Sequence, residues 1–87
     1  MSYFEDAREW CRLDGLVRNR VKVINAVTED RCDYTYWRGR CRVGFLGRTI
    51  ADYTTSDLCG VRDAYLRLDA VYRVLWDCRR EGLASFA

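Results

Sequence analysis

Two dipeptides that end in glycine divide the middle of the chain into three short segments. Arg38-Gly39 and Leu46-Gly47 stand between stretches in which apolar and polar residues alternate. A two-residue loop that ends in glycine is typical of a β-hairpin turn, because glycine adopts a positive φ without strain. The segments Cys32 to Trp37, Arg40 to Phe45 and Arg48 to Tyr53 are therefore predicted to form a three-stranded antiparallel meander.

The two turns also predict which side chains share a face of the sheet. The first turn sets four cross-strand pairs: Trp37 with Arg40, Tyr36 with Cys41, Tyr34 with Val43 and Cys32 with Phe45. The second turn is expected to place Val43 beside Ile50. The face with these aromatic and aliphatic residues should pack on helices. The other, solvated face is expected to carry Asp33, Thr35, Trp37, Arg40, Arg42, Thr49, Ala51 and Tyr53.

The last third of the chain has the spacing of an amphipathic helix. Its apolar residues recur at steps of three and four: Leu58, Val61, Tyr65, Leu68, Tyr72 and Leu75. We predict a helix from Asp57 to about Glu81, with Ser56 as its N-cap and Gly82 at its exit. The helix is expected to cover the apolar face of the meander, and the alternative for the same stripe is a dimer seam. Leu83 and Phe86 are expected to fold back onto the body.

The beginning of the chain also indicates helix. Ser2 and Glu5 form a capping-box pattern, and apolar residues at helical spacing follow from Tyr3 to Leu13. The residues Leu16 to Thr28 are ambiguous, because their β-branched side chains favour strand while their spacing favours helix. We predict a second helical segment that either continues the first through Gly15 or leaves a kink there, with a strand as the alternative.

Composition limits the chemistry of the chain. Its 87 residues form one α+β domain, 1–87, and they include no histidine, which excludes imidazole bases and mixed Cys/His zinc sites. The five cysteines contain no C-x-x-C pair and are expected to be small buried residues, so no metal or other cofactor is predicted. No run is apolar enough to span a bilayer, and the acidic N-terminus is unlike a signal peptide. We expect a cytoplasmic protein that is not an enzyme and has no membrane partner.

The meander carries most of the positive charge. Residues 31–48 contain five arginines and one acid, Asp33, which gives +4, while the whole chain carries +2. The predicted solvated face combines arginines with exposed aromatic rings, and these residue types dominate binding hot spots. The candidate partner-binding residues are Trp37, Arg38, Arg40, Arg42 and Tyr53. The alternative is that the arginines only solubilise the sheet.

Two kinds of partner fit such a face. Arginine forks bind carboxylates on an acidic protein surface, and exposed rings beside arginines can stack on single-stranded nucleic acid. Because a net charge of +2 is low for a nucleic-acid binder, a protein partner is favoured and nucleic acid is the alternative. The chain itself is expected to be a monomer or a homodimer.

In size and build the chain resembles the small single-domain inhibitors that bacteriophages encode against host defence, anti-CRISPR proteins among them. The resemblance covers architecture and no sequence motif. It implies steric occlusion of a larger nucleoprotein complex, with Trp37, Arg40, Arg42 and Tyr53 in contact with that partner.

Overall fold

A computed structural model describes residues 3–80 of the chain, with side chains as far as residue 78, and confirms an α+β fold. The elements in chain order are α1 (Tyr3–Thr28), β1 (Cys32–Trp37), β2 (Arg40–Phe45), β3 (Arg48–Thr54) and α2 (Leu58–Arg80). The three strands form one antiparallel sheet in the order β1-β2-β3. Both helices pack against the sheet and against each other. None of the described helices is long and apolar enough to cross a membrane.

The ambiguous segment after Gly15 is helical, and α1 is continuous through that glycine. Its buried residues follow helical spacing: Leu13, Asp14, Val17, Val21, Ile24 and Thr28. The alternative strand is therefore wrong, because the helical stripe is the one that reaches the core. Gly15 itself is exposed and has nothing near the position that a Cβ would take, so no packing requirement bends the helix there.

The first hairpin has the predicted register, and all four expected pairs between β1 and β2 are confirmed. Both residues of each turn have positive φ: 50° and 77° at Arg38 and Gly39, and 52° and 81° at Leu46 and Gly47. These values are those of type I′ turns, whose twist matches that of the flanking strands. Tyr36 was expected on the packed face but is 55% exposed, since it lies near the tip of an edge strand.

The second hairpin departs from the prediction at one residue. Val43 pairs with Ala51 rather than lying beside Ile50. The next pair toward the second turn is Gly44 with Thr49, so Ile50 has no partner of its own. Ile50 is thus an extra residue in β3, a β-bulge that reverses which face each later residue of the strand points to. Tyr53, predicted on the solvated face, consequently turns inward and is 3% exposed.

The core lies between the sheet and the two helices. Its fully covered side chains come from every layer: Val17 and Ile24 of α1, Cys41 and Val43 of β2, and Val61, Ala64 and Leu68 of α2. The apolar stripe of α2 therefore belongs to the core and is not an open dimer seam. Its other side carries two ion pairs between residues four apart, Asp63–Arg67 at 2.8 Å and Asp69–Arg73 at 2.9 Å.

The start of α2 differs from the prediction by one residue. Asp57, rather than Ser56, is the N-cap, because its carboxylate accepts a hydrogen bond from the backbone N–H of Gly60 over 2.9 Å. Ser56 has a φ of 76° and belongs to the preceding turn. The predicted exit at Gly82 and the apolar tail with Leu83 and Phe86 lie outside the described residues.

Candidate protein-binding face

The face of the sheet that points away from the helices is exposed, and we call it the outer face. Side chains of β1 and β2 alternate across the sheet, so Thr35, Trp37, Arg40 and Arg42 are exposed while the intervening Cys41 is fully buried. These four exposed residues line a shallow groove of about 220 Å³. Three of the predicted contact residues, Trp37, Arg40 and Arg42, therefore line one groove.

Trp37 is the largest exposed apolar side chain on the outer face, at 71% exposure. It ends β1 and pairs with Arg40 across the first hairpin. The guanidinium of Arg38, in the turn, lies 5.3 Å from the centre of the indole ring, which is a cation–π distance. Trp37 thus makes its cation–π contact with its chain neighbour, although Arg40 is its cross-strand partner.

Arg40 and Arg42 share the carboxylate of Asp52, a residue that was not among the candidates predicted from the sequence. The Nε atom of Arg40 donates a hydrogen bond to Asp52 over 2.7 Å, and a terminal nitrogen of Arg42 lies 3.5 Å from the other oxygen of Asp52. Asp52 reaches this position because the bulge turns it outward, opposite Arg42. Asp52 lies four residues after the basic segment 31–48, and the face to which it points depends on the bulge.

The structure contradicts the assignment of Tyr53 to this face. The ring of Tyr53 lies beneath the sheet, 6.5 Å from the ring of Trp10, and its Cβ is close to Gly60. Burial is the main cause that raises the pKa of its hydroxyl. Tyr53 is a core residue, so Trp37 has no second aromatic ring beside it on β3.

The positive charge of the meander is also distributed differently from the expectation. Arg31 and Arg48 lie at the far end of the sheet, near the second turn: the carbonyl of Arg31 accepts a bond from Leu46, and Arg48 pairs with Phe45. On the outer face, Arg40 and Arg42 are balanced by Asp33 and Asp52. Arg38, at the first turn, adds one positive charge beside Trp37.

A polar cluster beneath the sheet ties β1 to α1. The hydroxyl of Tyr34 donates a hydrogen bond of 2.7 Å to Asp14, which is 7% exposed, and Arg18 donates one of 2.9 Å to the other oxygen. Tyr34 also lies 3.4 Å from the sulfur of Cys41. Burial, followed by the contacts with Cys41 and Asp14, raises the pKa of Tyr34. Asp14 directly precedes Gly15, where the sequence left a kink of the helix open, and no sequence signal indicated this role.

The five cysteines occupy two kinds of environment. Cys32 and Cys41 are buried, as expected, whereas Cys11 and Cys59 are exposed and Cys78 is intermediate. Within residues 3–80, no three or more cysteine, aspartate or glutamate side chains form a group that could hold a metal ion. The expectation that all five are buried is therefore wrong for Cys11 and Cys59.

Comparison of the chain with protein-family models, curated proteins and solved structures gives no match.

Proposed function

We propose that the chain is a non-enzymatic protein-binding module whose outer face docks on an acidic surface of a larger partner. The observation that carries the proposal is the groove formed by Thr35, Trp37, Arg40 and Arg42 on an otherwise polar sheet. Tryptophan and arginine bury large contact areas and offer directed hydrogen bonds, so they are frequent at the centre of protein interfaces.

Asp52 indicates the chemistry that this groove accepts. Its two carboxylate oxygens lie 2.7 Å from Arg40 and 3.5 Å from Arg42, so the two guanidinium groups converge on one carboxylate. A carboxylate from a partner that approaches beside Trp37 meets the same two cations. The partner surface is therefore proposed to be acidic and to include an apolar site for the indole ring.

Single-stranded nucleic acid is the second candidate, and two observations weaken it. Binding of successive bases uses several exposed rings, but Tyr53 is buried and leaves Trp37 without a neighbouring ring on β3. The charges on the outer face also nearly cancel, because Asp33 and Asp52 oppose Arg40 and Arg42. Phosphate binding depends on an excess of basic groups.

The proposed mode of action is steric occlusion, as the resemblance to small phage-encoded anti-CRISPR inhibitors implies. A rigid sheet face can cover a site on a nucleoprotein complex without chemistry of its own. The proposed setting is the cytoplasm, because exposed free thiols such as Cys11 and Cys59 suit a reducing compartment.

The test compares capture of protein from a bacterial lysate by the immobilised chain and by three variants. Trp37→Ala and Arg40→Glu should each weaken capture, with an affinity loss of about 30-fold, equivalent to about 2 kcal/mol, if Trp37 is a hot spot. Arg62→Glu is the matched control, since Arg62 is exposed on α2, far from the groove in the chain. Equal capture by Trp37→Ala, Arg40→Glu and the unmodified chain would overturn the proposal.

A gel-shift series with an oligo-dT strand separates the two candidates. A nucleic-acid binder retards the strand at low salt and loses affinity steeply as salt rises, because counterions are released on binding. We expect no retardation at low salt. Retardation that Trp37→Ala abolishes would instead favour the nucleic-acid alternative.

A further inference from the structure

The two edges of the sheet are not equivalent, and in the part of the chain that the structure describes β1 provides the open one. The backbone N–H of Leu46 donates to the carbonyl of Arg31 over 3.0 Å, which fixes the alternation of hydrogen bonds between β1 and β2. Arg31, Asp33, Thr35 and Trp37 direct their backbone groups to β2, and the residues between them direct theirs outward.

Two residues of β1 present unpaired backbone groups at this edge. The outward N–H of Cys32 is occupied, because it donates to the side chain of Asn25 over 2.7 Å. The N–H and C=O groups of Tyr34 and Tyr36 have no hydrogen-bond partner among residues 3–80. Together they offer two donors and two acceptors in a row, which is the template for another strand.

The β3 edge is protected by the chain itself. The carbonyl of Thr54 accepts a bond from the N–H of Asp57 over 3.2 Å, and the carbonyl of Ile50 accepts one from Arg67 over 3.2 Å. The bulge at Ile50 further disrupts the alignment that a pairing strand requires. β1 has no bulge, proline or lysine, and Asp33 is its only charged residue. Bulges, prolines and lysines on an edge strand normally prevent pairing with another edge, so β1 lacks this protection.

We propose that β1 is an interaction surface for a second copy of this chain, with the two β1 strands antiparallel about a twofold axis at Thr35. In this register Tyr34 of each copy pairs with Tyr36 of the other, and all four outward N–H groups find carbonyl partners. The two tyrosines also become cross-strand neighbours on the inner face, which covers Tyr36, exposed by 55% in the single chain.

The charges of β1 support a second copy as the occupant. The same register places Asp33 opposite Trp37 of the second copy and one residue from its Arg38. Among residues 3–78, whose side chains are described, neither Asp33 nor Arg38 forms an ion pair, and both are exposed. Twofold symmetry creates the contact twice. The two-residue shift that places Asp33 opposite Thr35 would lose this complementarity.

In the proposed dimer the two three-stranded sheets form one six-stranded sheet, and their outer faces lie side by side. Each Trp37 then lies at the junction, beside Asp33 of the second copy, and the two grooves face the same side. The association requires no other partner, so it can be tested independently of the proposed function.

Sedimentation equilibrium of the full chain over a wide micromolar range tests the proposal. We expect the average mass to rise with concentration toward twice the monomer mass. Tyr36→Pro should abolish this rise, because it removes an outward N–H that β2 does not use. Thr54→Pro is the matched control: Thr54 also directs its N–H outward, at the β3 edge, and its carbonyl bond to Asp57 is retained.

Amide hydrogen exchange gives a measurement that does not depend on the variants. The Tyr34 and Tyr36 amides should exchange quickly in dilute solution and at least tenfold more slowly at high concentration, while the Asp52 amide should not change. A chain that remains monomeric at the highest concentration would overturn the proposal. So would protection of Asp52 in place of Tyr34 and Tyr36, or dimerisation that Tyr36→Pro leaves intact in a folded chain.

Discussion

Arg40 and Asp52 are joined across the outer face by a hydrogen bond of 2.7 Å from Nε of Arg40 to Oδ1 of Asp52. Their strands are adjacent, but the residues are not direct partners: Arg40 pairs with Thr54, and Asp52 pairs with Arg42. The contact is thus diagonal, and it holds a guanidinium in the groove beside Trp37. A carboxylate of the proposed partner would therefore compete with Asp52 for this arginine.

Replacement of Asp52 by asparagine should therefore strengthen partner binding while it barely changes stability. The side chain of Arg40 is 60% exposed, and an exposed ion pair contributes less than about 1 kcal/mol. Capture from lysate should rise several-fold, and the denaturation midpoint should remain close to that of the unmodified chain. Loss of capture equal to that of Arg40→Glu would show instead that Asp52 holds the arginines in place for the partner.

Removal of the Tyr34 hydroxyl should destabilise the fold, whereas removal of the Tyr53 hydroxyl should not. Tyr34→Phe takes a hydrogen bond of 2.7 Å from the buried carboxylate of Asp14 and should cost about 1–3 kcal/mol. The Tyr53 hydroxyl is buried without a hydrogen-bond partner among the described residues, so Tyr53→Phe should be neutral or stabilising. Urea denaturation of the two variants measures both values, and equal losses would contradict the assignment.

Stability should decrease in alkaline solution. Burial raises the pKa of Tyr53 and of Tyr34 above the value in the unfolded chain, which is about 10. Above that pH the unfolded chain loses these protons before the folded chain does, so the free energy of unfolding falls. Below that pH both hydroxyls are protonated in both states and do not change the stability. Tyr53 alone should contribute a slope of up to about 1.4 kcal/mol per pH unit. Tyr53→Phe should reduce this slope, and an unchanged slope would refute its origin.

Two glycines in helices should respond differently to alanine. Gly15 is exposed with free space around it, so Gly15→Ala should stabilise α1 by about 0.5–1 kcal/mol. A Cβ at Gly60 would lie 2.6 Å from the Cβ of Tyr53, so Gly60→Ala should destabilise the fold. Thermal unfolding of the pair measures both changes, and a gain in both would mean that α2 shifts freely over Tyr53.

Thiol labelling should distinguish the cysteines by position. In the native chain at pH 8, Cys11 and Cys59 should react quickly because they are exposed. Cys32 should react slowly, since burial and the neighbouring Asp33 raise its pKa to about 11 and leave little thiolate. In denaturant, Cys32 should react as quickly as Cys11 and Cys59. Mass spectrometry of partly labelled protein identifies the sites, and early labelling of Cys32 would contradict its burial.

Local patterns predicted most of the secondary structure. Helical spacing outweighed the β-branched residues of the segment after Gly15, because a helix buries Val17, Val21 and Ile24 on one side. Tight turns predicted the β1–β2 register, since a two-residue loop leaves one way to align its strands. The inward position of Tyr53 was not predictable in this way, because it depends on one extra residue in β3.

The sequence by itself determined the order of the elements, the first hairpin and the exposed positions of Trp37, Arg40 and Arg42, because spacing and turn geometry act over a few neighbouring residues. Only the tertiary structure decided the second register. There the Tyr53 side chain packs beside Trp10 of α1 and Gly60 of α2, and that burial selects the bulge. These contacts join residues far apart in the chain, so no local pattern encodes them, yet they place Asp52 on the outer face.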